Sequence, residues 1–238
     1  MDGPRVRALL LDVEGTTTPL DFVVGVLFPY ARARVAGFLR EHASDPEVRA
    51  DLALLAAEHA ADEAAGQDPP GWSGSVESVV RYVHRLMDRD RKSPGLKSLQ
   101  GRIWREGYER GELRGQVYPD VPPAFERWKR QGRGIAIFSS GSVLAQQLLF
   151  ANSTAGDLTA WIDAHFDTTS GPKGSRASYE RIAAALGQPA SHLQFVSDVV
   201  AELDAARLAG FQTALCARAA QALASTHPMI RTFAEVCP

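Results

Sequence analysis

Four segments of the chain combine an apolar run or a loop with residues capable of acid–base, nucleophilic or ligand chemistry. They are LLLDVEGTTTP (Leu9 to Pro19), IAIFSSGS (Ile135 to Ser142), DTTSGPKGS (Asp167 to Ser175) and LQFVSDVVAE (Leu193 to Glu202). Together they hold several carboxylates, a set of hydroxyls and backbone amides, and one lysine. That mixture suits phosphoryl transfer. Carboxylate oxygens are hard ligands for Mg²⁺, which takes one or two of them together with water and substrate phosphate. A carboxylate can also attack phosphorus, splitting one difficult hydrolysis into two easier steps through an aspartyl-phosphate. A divalent ion offsets the repulsion between acids and phosphate, and a lysine adds a fixed positive charge.

In this arrangement Asp12 is the expected nucleophile and a metal ligand. Glu14, two residues on, is placed to protonate the leaving oxygen and later to activate water. Lys173 neutralises charge and contacts substrate, and Asp198 is the second carboxylate ligand. Glu202, one helical turn beyond, would orient Asp198 or a metal-bound water. Ser139 and Ser140, with the amides of Gly141 and Ser142, would hold phosphate oxygens at a helix N-terminus. Taken singly, each has a plainer reading. Asp12 could begin a turn capped by the threonines, and Ser139 to Ser142 could be a helix cap. Lys173 could be a solvent-facing loop lysine, and Asp198 an N-cap. The joint pattern favours chemistry.

Such residues converge only if strands deliver them to one edge. Arg5 to Leu11 reads as a buried parallel strand ending at an acid. Between about Val24 and Gly111 the periodicity is helical throughout. Ala31, Val35, Phe38 and Leu39 share a face, as do Val48, Leu52 and Leu55 after Asp45 and Pro46. A third face runs from Val76 to Met87, with Ser75 as N-cap. From Val117 onward strands and helices alternate. Helices are expected after Pro122, over Val143 to Phe150, Ala177 to Leu186 and Ala201 to Ala209. Strands are expected at Gly134 to Phe138, Leu193 to Val196 and Phe211 to Cys216. This predicts a doubly wound, mainly parallel α/β sheet. Residues 1–20 and 113–238 would form the core, and residues 21–112 an all-helical insert after the first strand.

The chain has 238 residues with 45% apolar and 23% charged, values ordinary for a globular protein. A formal net charge of -2 gives no electrostatic reason to expect nucleic acid or an anionic membrane as partner. Cys216 and Cys237 have no metal-ligand spacing, and no stretch approaches the length of a membrane span. A cytoplasmic monomer acting on a phosphorylated small molecule is expected.

The ordered motifs resemble the haloacid dehalogenase-like superfamily: Asp-x-Glu-Gly-Thr at Asp12 to Thr16, Ser139 at a strand end, Lys173, and Asp198 followed by Glu202. Most members of that superfamily carry Asp where this chain has Glu14. Glu followed by Gly-Thr-Thr-Thr-Pro is similar to one branch, the enolase-phosphatases or acireductone synthases. LKSLQGRIWREGYERGELRGQVYPDV (Leu96 to Val121), FSSGSVLAQQLLFANSTAGDL (Phe138 to Leu158) and FVSDVVAELDAARLAG (Phe195 to Gly210) resemble that branch too.

The resemblance implies a helical cap, one Mg²⁺ per chain, and a bifunctional reaction in methionine salvage. In that reaction 2,3-diketo-5-methylthiopentyl-1-phosphate is enolised and then dephosphorylated to the acireductone. Asp12, Glu14 and Asp198 would bind the metal, Glu14 through its side chain or its backbone carbonyl. Ser139, Ser140 and Lys173 would bind substrate. The enolisation base is left open between Glu14, a cap residue and a bound water. Phe22, Val23 or Trp104 would reach the methylthio tail. The family's Arg-Pro-Gly-Asn after the last core strand is replaced here by Ala217-Arg218-Ala219-Ala220, a departure expected to bear on the rim and tail. Two rivals share parts of the pattern: a general small-molecule phosphatase and a phospho-signalling receiver-like module.

Overall fold

The computed structural model describes residues 5–218 and 225–237. The chain divides into two compact units, one of Met1–Val23 with Arg114–Pro238 and one of Val24–Leu113. Strand β1 (Ala8–Leu11) is wholly buried, and a single turn, α1 (Leu20–Phe22), follows it.

The second unit is helical: α2 (Phe28–His42), α3 (Pro46–Ala64), α4 (Val76–Asp88) and α5 (Pro94–Glu109). Helix α2 packs on α4 and α5, and α3 on α5. The expected faces are buried at Ala31, Val35, Phe38 and Leu39 in α2, and at Val79, Val83 and Leu86 in α4. The Ser75 hydroxyl accepts from the Ser78 amide and caps α4. Asp45 and Pro46 open α3 as expected; Asp45 holds the N-cap position without a side-chain cap bond, and its carboxylate pairs with His42 Nδ1 at 2.8 Å. Helix α5 has no counterpart in the apolar spacing, since Gly95, Gly101 and Gly107 interrupt its pattern. Gly95 and Gly107 serve close packing: a Cβ on Gly95 would lie 2.9 Å from Leu55 Cγ on α3, and one on Gly107 2.7 Å from the Tyr30 ring on α2. The buried face of α3 also contains charges that apolar spacing misses. Asp51 bonds Arg102 Nε at 2.7 Å, while Asp62 bonds both Arg91 at 2.9 Å and the Tyr82 hydroxyl at 2.9 Å.

One expectation needs correction here. The helical run Leu20–His42 has 23 residues and a mean hydropathy of 1.4 over its most apolar window, enough by length and composition to cross a bilayer. Arg32, Arg34 and Arg40 lie in its later turns, and its apolar stripe is buried within the helical unit. Its earlier turns expose Leu20, Val24, Val26 and Phe28, so the run is amphipathic, with one stripe buried.

The first unit resumes at α6 (Val121–Arg130), followed by β2 (Gly134–Phe138), α7 (Val143–Ala151), β3 (Ala164–Phe166), α8 (Arg176–Ala185), β4 (Leu193–Ser197), α9 (Val200–Leu208), β5 (Gln212–Cys216) and β6 (Met229–Ile230). The described strands make one parallel sheet in the order β3-β2-β1-β4-β5-β6. Strands β3 and β6 are absent from the sequence reading; each is two or three residues long, too short to show a period.

Strand β1 occupies the interior of the sheet, with Leu11 opposite Ile137 of β2 and Val196 of β4. The chain winds outward from β1 to β3, then returns to lay β4 on the other side of β1. Doubly wound sheets bind ligands above the carboxyl ends of the strands at such a reversal.

Both sheet faces are covered, which explains the near-continuous apolar strands. On one face Leu10, Phe138, Phe195 and Leu215 cluster with Tyr179 and Ile182 of α8 and Leu203 of α9. Elsewhere in this unit Phe125 of α6 packs on Trp128 and on Phe150 of α7. Trp128 lies 5.4 Å, centroid to centroid, from Phe233 and donates its indole N–H to Val236 O at 3.0 Å. Trp128→Ala should therefore cost about 3–5 kcal/mol, the range for emptying a large aromatic site, and loosen the C-terminal turn. Urea denaturation monitored by circular dichroism measures this directly.

Candidate active site

The site is built where β1 and β4 end. Asp12 follows β1 directly, and its amide donates to Val196 O at 3.0 Å, so the strand ladder fixes its backbone. The loop then turns sharply. The amides of Thr16, Thr17 and Thr18 all point at Val13 O, and the Thr17 hydroxyl donates back to Asp12 O at 3.0 Å. Gly15 makes this possible with φ of +71°, a left-handed conformation that other residues adopt at a cost. The turn-and-cap reading of Asp12-to-Thr18 thus holds alongside the chemical one.

Lys173 decides between its two readings, for it is only 7% exposed. Its ammonium donates to Asp12 Oδ1 at 2.5 Å and pairs with Glu202 Oε2 at 2.7 Å. Burial alone works against that charge, but the two carboxylates outweigh it and hold the lysine above its ordinary pKa. The Tyr179 hydroxyl donates to Lys173 O at 2.7 Å, and the Phe138 ring lies 5.9 Å from the ammonium.

Asp12 Oδ1 also accepts the Val13 amide at 2.8 Å. Its Oδ2 receives a single long contact among the described residues, from the Ser197 hydroxyl at 3.4 Å. One oxygen is held; the other faces outward from that grip.

Glu202 lies near enough to Asp198 for its charge to act there, and its hydrogen bonds go to other partners. It accepts from Lys173 and from the Ser197 hydroxyl at 3.0 Å, so it steadies the lysine. Burial raises the Glu202 pKa more than Lys173 lowers it. Asp198 does not cap α9: the N-cap is Val199, whose amide donates to Ser197 Oγ at 3.1 Å. Its carboxylate instead rests on Gly15, where a Cβ would lie 2.2 Å from Oδ2. Burial, followed by the nearby Asp12 charge, pushes the Asp198 pKa up to about 6.

Glu14 is half-buried and bridges to Thr18 in the turn. At the end of β2, Ser139 is 2% exposed, and its hydroxyl accepts the Gly141 amide at 2.9 Å. The Gly141 amide is therefore engaged within the loop. Ser142 caps α7 by accepting from Ala145 N at 3.2 Å. Both follow the plainer cap reading of this segment. Ser140 is half-buried in the same loop.

The apolar trio expected for the methylthio tail is largely enclosed. Phe22, Val23 and Trp104 are buried, and the Trp104 indole donates to Leu27 O at 2.8 Å. The exposed large apolar side chains in that stretch are Leu20, Val24, Val26 and Phe28.

Sequence reasoning missed Arg218. Its Nε and Nη2 donate to Thr16 O at 3.1 and 2.7 Å, in the loop after Asp12. The segment expected to affect rim and tail thus touches the Asp12 loop; Ala219 and Ala220 lie outside the described residues. A lone arginine after a strand gives no sequence signal of such a contact.

The model of the haloacid dehalogenase-like hydrolases matches residues 6–210, most of the chain. The chain belongs to this family. The haloacid dehalogenase-like assignment is carried further by two curated relatives named Enolase-phosphatase E1. That of Synechococcus elongatus is 57% identical over 214 residues, covering 90% of this chain and 89% of the relative. That of Pseudomonas aeruginosa is 46% identical over 231 residues, covering 97% and 98%. The solved structure of the UTR4 protein of Saccharomyces cerevisiae superposes with a TM-score of 0.79 at 31% identity, covering 98% of this chain and 100% of that one. CbbY from Rhodobacter sphaeroides, solved in complex with phosphate, shares the fold at a TM-score of 0.56 and 16% identity, covering 98% and 96%.

Haloacid dehalogenase-like phosphatases generally use Mg²⁺. No three His, Cys, Asp or Glu side chains among the described residues form a ready metal cage. Mg²⁺ needs none, since it keeps several waters and takes one or two carboxylates. The donor set fits: Asp12 and Asp198 are close enough for the charge of one to raise the other's pKa, and both offer hard oxygens. Gly15→Ala should displace Asp198 and lower phosphate release by at least about tenfold, while the left-handed turn itself costs only about 1–2 kcal/mol. Parallel phosphate-release and thermal-unfolding measurements separate the two effects.

Proposed function

We propose that this chain acts as an enolase-phosphatase (acireductone synthase) using Asp12 as nucleophile. The substrate is 2,3-diketo-5-methylthiopentyl-1-phosphate, and the products are 1,2-dihydroxy-3-keto-5-methylthiopentene and phosphate, in methionine salvage. Relatives bearing the enolase-phosphatase name along nearly the whole chain support this reaction over a general phosphatase or a receiver-like module. For the nucleophile, one observation carries the reading. Asp12 has Oδ1 fastened by Lys173 and the Val13 amide, which turns Oδ2 into the oxygen that can attack.

Asp12 Oδ2 bonds to phosphorus as the ester oxygen leaves, and Glu14 gives that oxygen a proton. Glu14 then takes a proton from water, which attacks the aspartyl-phosphate, releases phosphate and restores Asp12. Lys173 holds Asp12 in its attacking orientation and offsets charge on the phosphoryl oxygens. Ser139 and Ser140 hold the non-reacting oxygens, with Gly141 contributing through the loop it shapes. Asp12, Asp198 and Glu14 would hold one Mg²⁺, which when bound screens phosphate from the acids and polarises the diketone for enolisation. The helical unit has the role of cap in this reading, and the enzyme works as a cytoplasmic monomer on a soluble phosphorylated metabolite.

Asp12→Asn should abolish phosphate release by at least about a thousandfold with the fold intact, because an amide is a poor nucleophile. Activity within tenfold of wild type would remove Asp12 from that role. EDTA should silence the wild-type enzyme and Mg²⁺ restore it. Mass spectrometry of the product from the diketo phosphate checks the reaction: the acireductone is expected, whereas a dephosphorylated diketone would mean phosphatase chemistry without enolisation.

A further inference from the structure

The end of β5 reaches back to the loop after β1 through one side chain. Arg218 is partly buried, with its side chain 11% exposed, and its guanidinium lies between two rings. Its Cζ sits 4.3 Å from the Tyr118 centroid and 4.7 Å from that of Phe233. Two of its nitrogens share Thr16 O at 3.1 and 2.7 Å, while Nη1 donates to Asp120 Oδ2 at 2.6 Å. That nitrogen also makes a long contact to Arg231 O at 3.4 Å.

The acid that anchors it is itself held. Asp120 Oδ2 accepts the Thr232 hydroxyl at 2.8 Å and the Phe233 amide at 2.6 Å. Burial alone would raise the Asp120 pKa, but Arg218 and these donors hold it below the usual carboxylate range. Arg218 therefore has a fixed seat, pinned by an ion pair and two aromatic faces, and its Nε and Nη2 both donate to the Thr16 carbonyl.

That carbonyl belongs to the turn that sets Asp12. Thr16 is fully buried. The inner amides of the turn already converge on Val13 O, so its shape depends on what holds its outer rim. Two groups do so: Arg218 at Thr16 O, and the Tyr118 amide at Thr17 O, 2.9 Å away. The Thr17 hydroxyl in turn bonds Asp12 O, and Gly15 lies against Asp198. A turn released at Thr16 would shift both carboxylates relative to each other.

We propose that Arg218 is a positioning residue for the phosphatase reaction, clamping the Thr16 carbonyl so that the Asp12 loop keeps its attacking geometry. This rests on the reading of Asp12 as nucleophile. Arg218 touches no reacting atom; it acts through the turn. A misplacement of about 1 Å at a reacting group costs about a hundredfold in rate. Methionine can fill the space between Tyr118 and Phe233 without offering a donor.

The test compares Arg218→Met and Arg218→Lys with wild type and Asp12→Asn. It measures kcat and KM for phosphate release with saturating Mg²⁺, Mn²⁺ affinity by electron paramagnetic resonance, and thermal unfolding. Arg218→Met is expected to lose kcat about a hundredfold with KM within threefold, and to bind Mn²⁺ several-fold more weakly. Arg218→Lys, which cannot make the forked contact, is expected to fall between. A folded Arg218→Met with kcat within threefold of wild type overturns the proposal, as does a loss carried by KM alone. If Arg218→Met does not fold, Asp120→Asn takes its place: a fall in kcat of about fivefold or more at unchanged KM supports the clamp, and an unchanged kcat overturns it. Asp12→Asn keeps the two readings apart, since an active Asp12→Asn refutes the nucleophile assignment while the Mn²⁺ shift still reports on the loop.

Discussion

A buried ammonium between two carboxylates is the constraint around which the catalytic unit is organised. Lys173 sits between Asp12 and Glu202, with all three largely withdrawn from water. Breaking such a group by removing one member leaves an uncompensated charge in the interior, typically at a cost of about 3–5 kcal/mol. The three residues come from the end of β1, the loop before α8, and the first turn of α9. The lysine's segment is therefore tied by charge to each of the other two, and it offsets the repulsion between their carboxylates. The same contacts aim Asp12, so the interaction that stabilises the interior also prepares the nucleophile.

The sheet topology supplies the meeting place. Because β4 returns to the side of β1 opposite β2, the first strand is flanked by two others and its end is held on both sides. Short residues then allow close approach. Gly15 admits the Asp198 carboxylate where any side chain would collide with it, and Ser197 links Asp12, Glu202 and the start of α9 through one hydroxyl. Small changes at these positions are amplified, because the charges they space apart lie in a poorly screened interior.

Much of this was legible in the sequence because its signals are local. Strand ends followed at once by Asp12, Ser139 and Asp198, and a lysine in a glycine-rich loop, mark the sheet edge without any tertiary information. The sequence could not say that Glu202 would choose Lys173 over Asp198, since both lie within reach of its helical turn. It marked the segment of Arg218 as unusual but not what Arg218 would reach, because its partner carbonyl is some two hundred positions away and belongs to no side chain. Strands β3 and β6 escaped for want of length. Asp51 and Asp62 escaped because polarity usually marks a solvent face, whereas here arginines from other helices neutralise them inside.

The interior place of β1 also bears on how the enzyme is made. It leaves the ribosome well before its neighbours, which start at Gly134 and Leu193, so it must wait for them before it can pair. The helical unit ends at Leu113 and can complete its local contacts well before then. Long sequence separations of this kind slow folding and leave an apolar segment in need of protection meanwhile. Nascent Leu9, Leu10 and Leu11 are thus a natural point of attachment for chaperones during synthesis, and a ribosome stalled before Leu193 would release a chain whose first strand can pair with β2 on one side only.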